Sequence, residues 1–132
     1  MNEKMKEDLK SLCPETLFDE AMSRHTTIRI GGPADAFVYP KTVEELTVIL
    51  QWARREGVEV FVMGAGSNLL VRDKGIRGVV IHLAQGFSRM EIEKDEAAGV
   101  VLYAEAGVGI PRLVDFSAES GLAGIEPLAG IP

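Results

Sequence analysis

The sequence predicts an α+β fold in which a mixed sheet is flanked by helices, and three observations support that class. The 132 residues, 46% of them hydrophobic and 26% charged, correspond to one ordinary domain with a sizeable core. Short β-rich runs bounded by Gly, Pro and charged clusters recur along the chain. One strongly amphipathic helix interrupts these runs and gives a β-β-α-β order over residues 25–63.

The first expected element is an amphipathic helix over residues 3–12, where Met5, Leu9 and Leu12 follow helical spacing. Pro14 prevents its continuation because proline lacks a backbone N–H and clashes with the preceding turn. We therefore interpret residues 1–22 as a leader that contains a short helix, and residues 23–132 as the domain proper.

Two strands are expected next, over residues 25–30 and 35–39, joined by a turn at Gly31-Gly32-Pro33. On the first of them Arg29 faces away from Ile28 and Ile30, which pack inward. Arg29 is therefore a candidate ligand for an anion, although a solvated arginine at a strand end is the commoner case.

The second helix has the strongest sequence signals. Thr42 and Glu45 form a capping box, in which the Thr42 hydroxyl accepts from the Glu45 amide and the Glu45 carboxylate returns to the Thr42 amide. Leu46, Ile49, Leu50 and Ala53 continue the apolar face, and Gly57 supplies a left-handed stop. A strand that reads as buried follows over residues 58–63.

Three further strands and a third helix complete the predicted elements. The strands are short β-rich runs at residues 78–82, 89–93 and 100–105. The helix begins at Pro111, where a missing amide costs nothing, and ends at Gly121.

The loop over residues 64–68 is the main candidate binding site. Gly64, Ala65 and Gly66 are small enough to let successive backbone amides turn toward one point, and Ser67 and Asn68 add side-chain donors. An anion cradle and an ordinary tight turn are both open on this loop alone. It is neither a dinucleotide-binding Rossmann fingerprint nor a P-loop, because residues 69–73 read as a strand and no Gly-Lys-Ser or Gly-Lys-Thr follows.

Charge and composition exclude several classes of function. A net charge of −6 opposes binding of nucleic acid or acidic membrane surfaces. The single Cys13 cannot form an intrachain disulfide, and neither a signal peptide nor a membrane-spanning run is evident, so a cytoplasmic location is the default. With only His25 and His82, no recognisable metal site is expected.

The residues offer no convincing catalytic set. A lone histidine at a strand end is more often a structural hydrogen-bonding residue than a general base, which applies to His25 and His82. Cys13 lacks a Cys-x-x-Cys partner, and surface or capping roles are expected for Glu105 and Glu126.

Three segments in order, residues 23–35, 64–71 and 121–132, resemble the UDP-N-acetylenolpyruvoylglucosamine reductase family, also called UDP-N-acetylmuramate dehydrogenases. The resemblance implies an FAD-binding domain of the p-cresol methylhydroxylase (PCMH) and vanillyl-alcohol-oxidase type, with noncovalent FAD. It implies that the FAD pyrophosphate lies on the 64–68 loop. The implied cofactor-binding residues are Gly64, Ala65, Gly66, Ser67, Asn68, Arg29, Gly31, Gly32, Gly130 and Ile131.

The resemblance also implies the reaction of the parent protein in peptidoglycan precursor synthesis. In the family, NADPH reduces the flavin, which then reduces the enolpyruvyl group of a UDP-sugar to UDP-N-acetylmuramate. The family's catalytic Arg, Ser and Glu follow the segment that matches residues 121–132, so no catalytic residue transfers to this chain. We interpret Pro132 as a cut within a functional loop and expect an inactive fragment with weak FAD affinity.

Two other functional classes stay open at this point. One is an FAD-linked alcohol or hydroxyacid oxidase with the same cofactor domain. The other is a non-enzymatic α+β binding module in which the glycine loop only turns the chain. For the fragment itself, apolar surface around residues 122–132 predicts self-association through the truncated edge.

Overall fold

The structure, a computed structural model, describes residues 1–96 and 99–131. Nine helices and strands are present in this part of the chain, together with short 3₁₀ turns at Met22–Arg24 and Glu126–Leu128. In chain order they are α1 (Glu3–Leu12), β1 (Leu17–Ala21), β2 (Pro33–Val38), α2 (Val43–Glu56), β3 (Val60–Met63), β4 (Ile76–His82), β5 (Met90–Glu96), β6 (Gly99–Ala104) and α3 (Ile110–Glu119).

A four-stranded mixed sheet with the order β1-β2-β4-β3 forms the centre of the fold. Strands β1 and β2 are antiparallel, whereas β4 runs parallel to both β2 and β3. The α+β class and the mixed sheet are therefore as predicted. The two later strands differ from the expectation of one sheet, since β5 and β6 pair with each other as a separate antiparallel hairpin.

The helix boundaries follow the capping signals closely. The Thr42 hydroxyl accepts a hydrogen bond from the Glu45 amide at 3.2 Å, as expected of an N-cap. The Glu45 carboxylate accepts from the Lys41 amide at 2.7 Å instead of returning to Thr42, which corrects that half of the capping box. Gly57, with φ of 66°, ends α2 in the left-handed conformation as predicted.

One face of the sheet is covered by α1 and α2. The amphipathic pattern of α2 buries Ile49, Trp52 and Ala53, of which Trp52 is the largest and was not part of the predicted face. This main core comprises Leu9, Cys13, Ala36, Val38, Ile49, Trp52, Ala53, Val79 and Ile81. Because α1 contributes Leu9 to it, the amino-terminal helix is packed into the same core as the sheet.

The opposite face of the sheet is covered by chain without regular secondary structure. Parallel neighbours β3 and β4 require a crossover, and residues 64–75 provide it along this face. Val71 is buried there against a second core that includes Met22, Phe37 and Val80. Residues 69–73 are consequently part of the crossover, and the prediction of a strand over them is wrong.

The predicted strand over residues 25–30 is also wrong. The strand that pairs with β2 is β1, at residues 17–21, and residues 22–32 form an irregular connection between them. Arg29 adopts φ of 56°, which breaks an extended run, and Ile28 and Ile30 are 56% and 50% exposed instead of packing inward.

Strand β3 is an edge strand within the described part of the sheet, which explains why its burial differs from the prediction. Its residues Val60, Phe61 and Val62 are exposed, and only Met63 is buried. Helix α3 begins within one residue of the predicted Pro111 start and is followed by Gly121 in the left-handed conformation. Pro132 lies outside the described residues.

Candidate functional site

The glycine loop, residues 64–68, lies where parallel strand β3 ends. Met63 pairs with His82 at the carboxyl ends of β3 and β4, so the loop emerges at the edge where parallel sheets commonly bind ligands. Gly64, Ala65 and Asn68 are exposed. Residues 61–69 line a depression of about 280 Å³, which gives the loop an open concave side.

The backbone amides of the glycine loop are unpaired within the described part of the chain. Among the hydrogen bonds of the described residues, none is donated by an amide of residues 64–68. The Ser67 and Asn68 side chains likewise have no hydrogen-bond partner in that part of the protein. Consecutive unpaired amides with flanking polar side chains form a donor set suited to the oxygens of an anion such as a diphosphate.

Gly66 determines the shape of the loop. It has φ of 69°, and a Cβ at this position would lie 1.9 Å from the His25 carbonyl oxygen. The Gly66 carbonyl accepts a hydrogen bond from the Thr27 amide at 3.1 Å. The loop is therefore held at Gly66 by residues 25–27.

The connecting segment 22–32 carries three of the predicted site residues. Arg29 is exposed at its tip, in a turn stabilised by the Arg29 amide donating to the Thr26 carbonyl at 3.0 Å. The Gly32 amide donates to the Arg72 carbonyl at 3.0 Å, and Gly31 packs against Met22 and Val71. The segment and the crossover are therefore tied together beside the glycine loop, and cofactor contacts by these three residues stay a prediction.

Gly130 and Ile131 are not brought to the glycine loop by the described chain. Both are exposed, and the Ile131 amide donates to Leu128 after the second 3₁₀ turn. Neither residue lines the depression of residues 61–69. Their predicted part in the same envelope stays a prediction.

A cluster of aromatic rings lies next to the glycine loop on the crossover side of the sheet. His25 stacks on Phe37 with ring centroids 4.1 Å apart, and the Tyr39 and His82 rings contact Phe37 at 5.0 and 5.8 Å. Nε2 of His25 lies 2.9 Å from a carboxylate oxygen of Glu20. His25 is thus a structural hydrogen-bonding residue, as the sequence favoured.

Sequence reasoning missed the other members of this cluster. Glu20 belongs to the unpredicted β1, and Phe37 and Tyr39 read only as strand residues. The available signal was the aromatic pair at alternate positions, Phe37 in β2 and Tyr39 directly after it, because alternate residues of extended chain lie on one face. Burial, and then the charge of Glu20, raise the pKa of the Tyr39 hydroxyl.

We expect the free energy of unfolding to fall as the pH drops below about 6.5, the ordinary pKa of a histidine side chain. Burial, and then the nearby His25, lower the pKa of His82 in the folded chain below that value. The unfolded chain then binds a proton that the folded chain resists, so stability present above this pH is lost toward the lower folded-state pKa. His82→Gln should flatten the profile, as measured by urea unfolding across this range. An equally steep profile in the variant would contradict the assignment.

The remaining candidate residues have local roles. The Glu105 carboxylate accepts from the Arg89 amide at 2.7 Å, and that of Glu126 from the Gly124 amide at 2.7 Å, as expected of capping groups. Cys13 is buried in the main core.

Among residues 1–96 and 99–131, no group of three or more His, Cys, Asp or Glu side chains is arranged to hold a metal ion. None of the helices within those ranges has the length and apolar character needed to cross a bilayer.

Comparison with known proteins identifies the family of this site. A family model described as FAD binding domain matches residues 34–132, which include the whole glycine loop. A UDP-N-acetylenolpyruvoylglucosamine reductase of Desulfosudis oleivorans is 44% identical over 115 residues, covering 87% of this chain and 37% of the relative. The chain spans about two-fifths of the length of the curated relatives it matches.

Solved structures agree with the sequence relatives. The UDP-N-acetylenolpyruvylglucosamine reductase (MurB) of Thermus caldophilus superposes with a TM-score of 0.61 at 36% identity, covering 89% of this chain and 38% of that one. A p-cresol methylhydroxylase superposes with a TM-score of 0.59 at 17% identity, covering 90% and 25%, which shows a shared fold. The chain therefore belongs to the FAD binding domain family, with the PCMH-type fold, and is homologous to UDP-N-acetylenolpyruvoylglucosamine reductases.

Proposed function

We propose that this chain is the FAD-binding part of an NADPH-dependent flavoenzyme that reduces UDP-N-acetylglucosamine enolpyruvate to UDP-N-acetylmuramate. The observation that carries the proposal is the set of free amides on residues 64–68, in a chain whose relatives are named as this reductase. Within the proposal, residues 23–132 are the amino-terminal portion of the FAD-binding domain, and UDP-sugar binding and catalytic residues belong to the parent protein.

The residues of the loop fit a diphosphate. Five successive amides without a hydrogen-bond partner among the described residues, in a depression of about 280 Å³, would surround phosphate oxygens with donors. A local donor set is required because the chain carries a net charge of −6 and opposes anions at longer range. Ser67 and Asn68 would add side-chain hydrogen bonds, and Gly66 would hold the turn.

FAD, when bound, would supply hydride transfer from NADPH to the enolpyruvyl double bond. The part of this chain in that reaction is to bind and orient. The glycine loop would fix the diphosphate. Segment 22–32 would limit the movement of the loop through the hydrogen bond from the Thr27 amide to the Gly66 carbonyl. Arg29, Gly31, Gly32, Gly130 and Ile131 are proposed as further parts of the cofactor envelope.

The proposal is tested on the natural protein that contains this chain. Under anaerobic conditions, NADPH should bleach the visible absorption band of bound flavin, and UDP-N-acetylglucosamine enolpyruvate should restore it. UDP-N-acetylglucosamine, which lacks the enolpyruvyl group, is the matched control and should leave the flavin reduced. Failure of the enolpyruvyl substrate to reoxidise the flavin would reject the proposed reaction.

Two further measurements on the same protein separate the two alternatives. An FAD-linked oxidase would be reduced by an alcohol or hydroxyacid and reoxidised by oxygen without need of the enolpyruvyl sugar. A binding module without flavin would retain no visible flavin band after titration with FAD and removal of the unbound FAD by gel filtration. The homology to the reductases at 44% identity favours the reductase over the oxidases, which share only the fold.

A further inference from the structure

The glycine loop is supported at Gly66 by two residues from outside the crossover, His25 and Thr27. The carbonyl oxygen of His25 lies against Gly66, where a Cβ would come within 1.9 Å of it, and Thr27 donates to the Gly66 carbonyl at 3.1 Å. The His25 amide is itself fixed by the Met22 carbonyl at 2.9 Å. The position of His25 therefore sets the position of the turn that presents the free amides.

The His25 ring is held on two sides. Its Nε2 lies 2.9 Å from Oε1 of Glu20, and the His25 and Glu20 side chains are only 15% and 13% exposed. Its face stacks on the fully buried Phe37 with a centroid separation of 4.1 Å. A hydrogen bond that is largely shielded from water is stronger than an exposed one, so this pair is a firm anchor for residue 25.

Arg24 provides a natural comparison. It contacts the other carboxylate oxygen of Glu20 at 3.4 Å, but its side chain is 72% exposed. Exposed ion pairs contribute little because water and salt screen them. Glu20 thus has one peripheral partner, Arg24, and one shielded partner, His25, whose carbonyl oxygen lies against Gly66 of the glycine loop.

Resting on the proposed function, we propose that Glu20 and His25 are positioning residues for the FAD diphosphate, acting through Gly66 on the amides of residues 64–68. The carboxylate accepts from Nε2–H and fixes the ring, and the backbone of residue 25 then holds the turn. Without this anchor the turn samples several orientations. Hydrogen bonds weaken steeply as their angle departs from linearity, so diphosphate binding weakens with it.

The test uses the natural protein that contains this chain, freed of its FAD. It measures FAD dissociation constants by titration calorimetry for the wild type, Glu20→Ala, Glu20→Gln, His25→Phe and Arg24→Ala, together with thermal unfolding midpoints. Glu20→Ala and His25→Phe should weaken FAD binding roughly tenfold, the scale on which orienting hydrogen bonds act around metal ligands. His25→Phe retains a ring to stack on Phe37. Glu20→Gln retains an acceptor for Nε2–H and should restore most of the affinity, and Arg24→Ala should match the wild type.

The outcomes distinguish the two proposals. If the wild type binds FAD and both Glu20→Ala and His25→Phe bind it equally well, the positioning role is overturned while the proposed function stands. If Glu20→Gln is as weak as Glu20→Ala, the hydrogen bond is not the cause and the role is again overturned. If the wild type does not bind FAD, the proposed function fails and this inference fails with it. Should Glu20→Ala fail to fold, His25→Phe and Glu20→Gln decide the result.

Discussion

Gly66→Ala should weaken FAD binding about a hundredfold, or about 2.7 kcal/mol, and lower the free energy of unfolding by about 2–5 kcal/mol. The left-handed backbone at φ of 69° costs a non-glycine residue about 1–2 kcal/mol. The new Cβ also meets the His25 carbonyl oxygen at 1.9 Å, so the turn has to move. A displaced turn no longer directs the amides of residues 64–68 toward one point.

Two other glycines separate the causes of that loss. Gly57 has φ of 66° but no heavy atom within 4 Å of an added Cβ, so Gly57→Ala measures backbone strain alone. Gly64 has open space and no left-handed backbone, so Gly64→Ala should leave stability unchanged. Urea unfolding and FAD titration of the three variants provide the comparison. A Gly66→Ala variant no less stable than Gly57→Ala and with wild-type FAD affinity would contradict the role of Gly66.

Trp52→Ala should lower the free energy of unfolding by about 3–5 kcal/mol, a large part of the total stability of a small domain. Trp52 is 1% exposed and lies in the main core with Leu9 and Val79, so its removal leaves a cavity between the helices and the sheet. The glycine loop lies over the other core. The folded fraction of this variant should therefore bind FAD with nearly wild-type affinity.

Val48→Ala is the matched control for Trp52, since it lies on the same helix and is 39% exposed. Urea unfolding should show a loss below about 1 kcal/mol for it, as for other surface substitutions. A Trp52→Ala variant as stable as Val48→Ala would mean that α2 is not anchored through this side chain.

Much of the fold could be predicted because local signals and tertiary packing agree there. Thr42 and Gly57 define α2 within one residue at each end, and Pro111 and Gly121 bracket α3. These are capping and backbone effects, which depend on a few neighbouring residues. Such effects can be recognised in the sequence whatever the helix packs against.

The errors occurred where tertiary contacts override the local pattern. The alternation around Arg29 resembles a strand, but this segment reaches over to the glycine loop and turns at Arg29 instead. The strand that actually pairs with β2, at residues 17–21, contains two acidic residues and left-handed Asp19, so its composition does not indicate a strand. The crossover over residues 64–75 likewise follows from strand order, which no local pattern specifies.

Part of the candidate site could be predicted from the sequence. Small residues after β3 predicted the free amides, because glycine and alanine leave backbone donors accessible. The support behind the loop could not be predicted, since Glu20, His25 and Phe37 come together only through the pairing of β1 with β2. Residues that position a binding loop are thus harder to read from sequence than the loop itself.

Amide-resolved NMR on this 14.3 kDa chain can show whether the amides of residues 64–68 bind the FAD diphosphate. We expect the amide signals of Gly64, Ala65, Gly66, Ser67 and Asn68 to shift on titration with FAD, and with inorganic pyrophosphate as the minimal probe. Exposed amides elsewhere, such as that of Lys4, should not respond. Unchanged signals for all five residues at saturating FAD would contradict the claim.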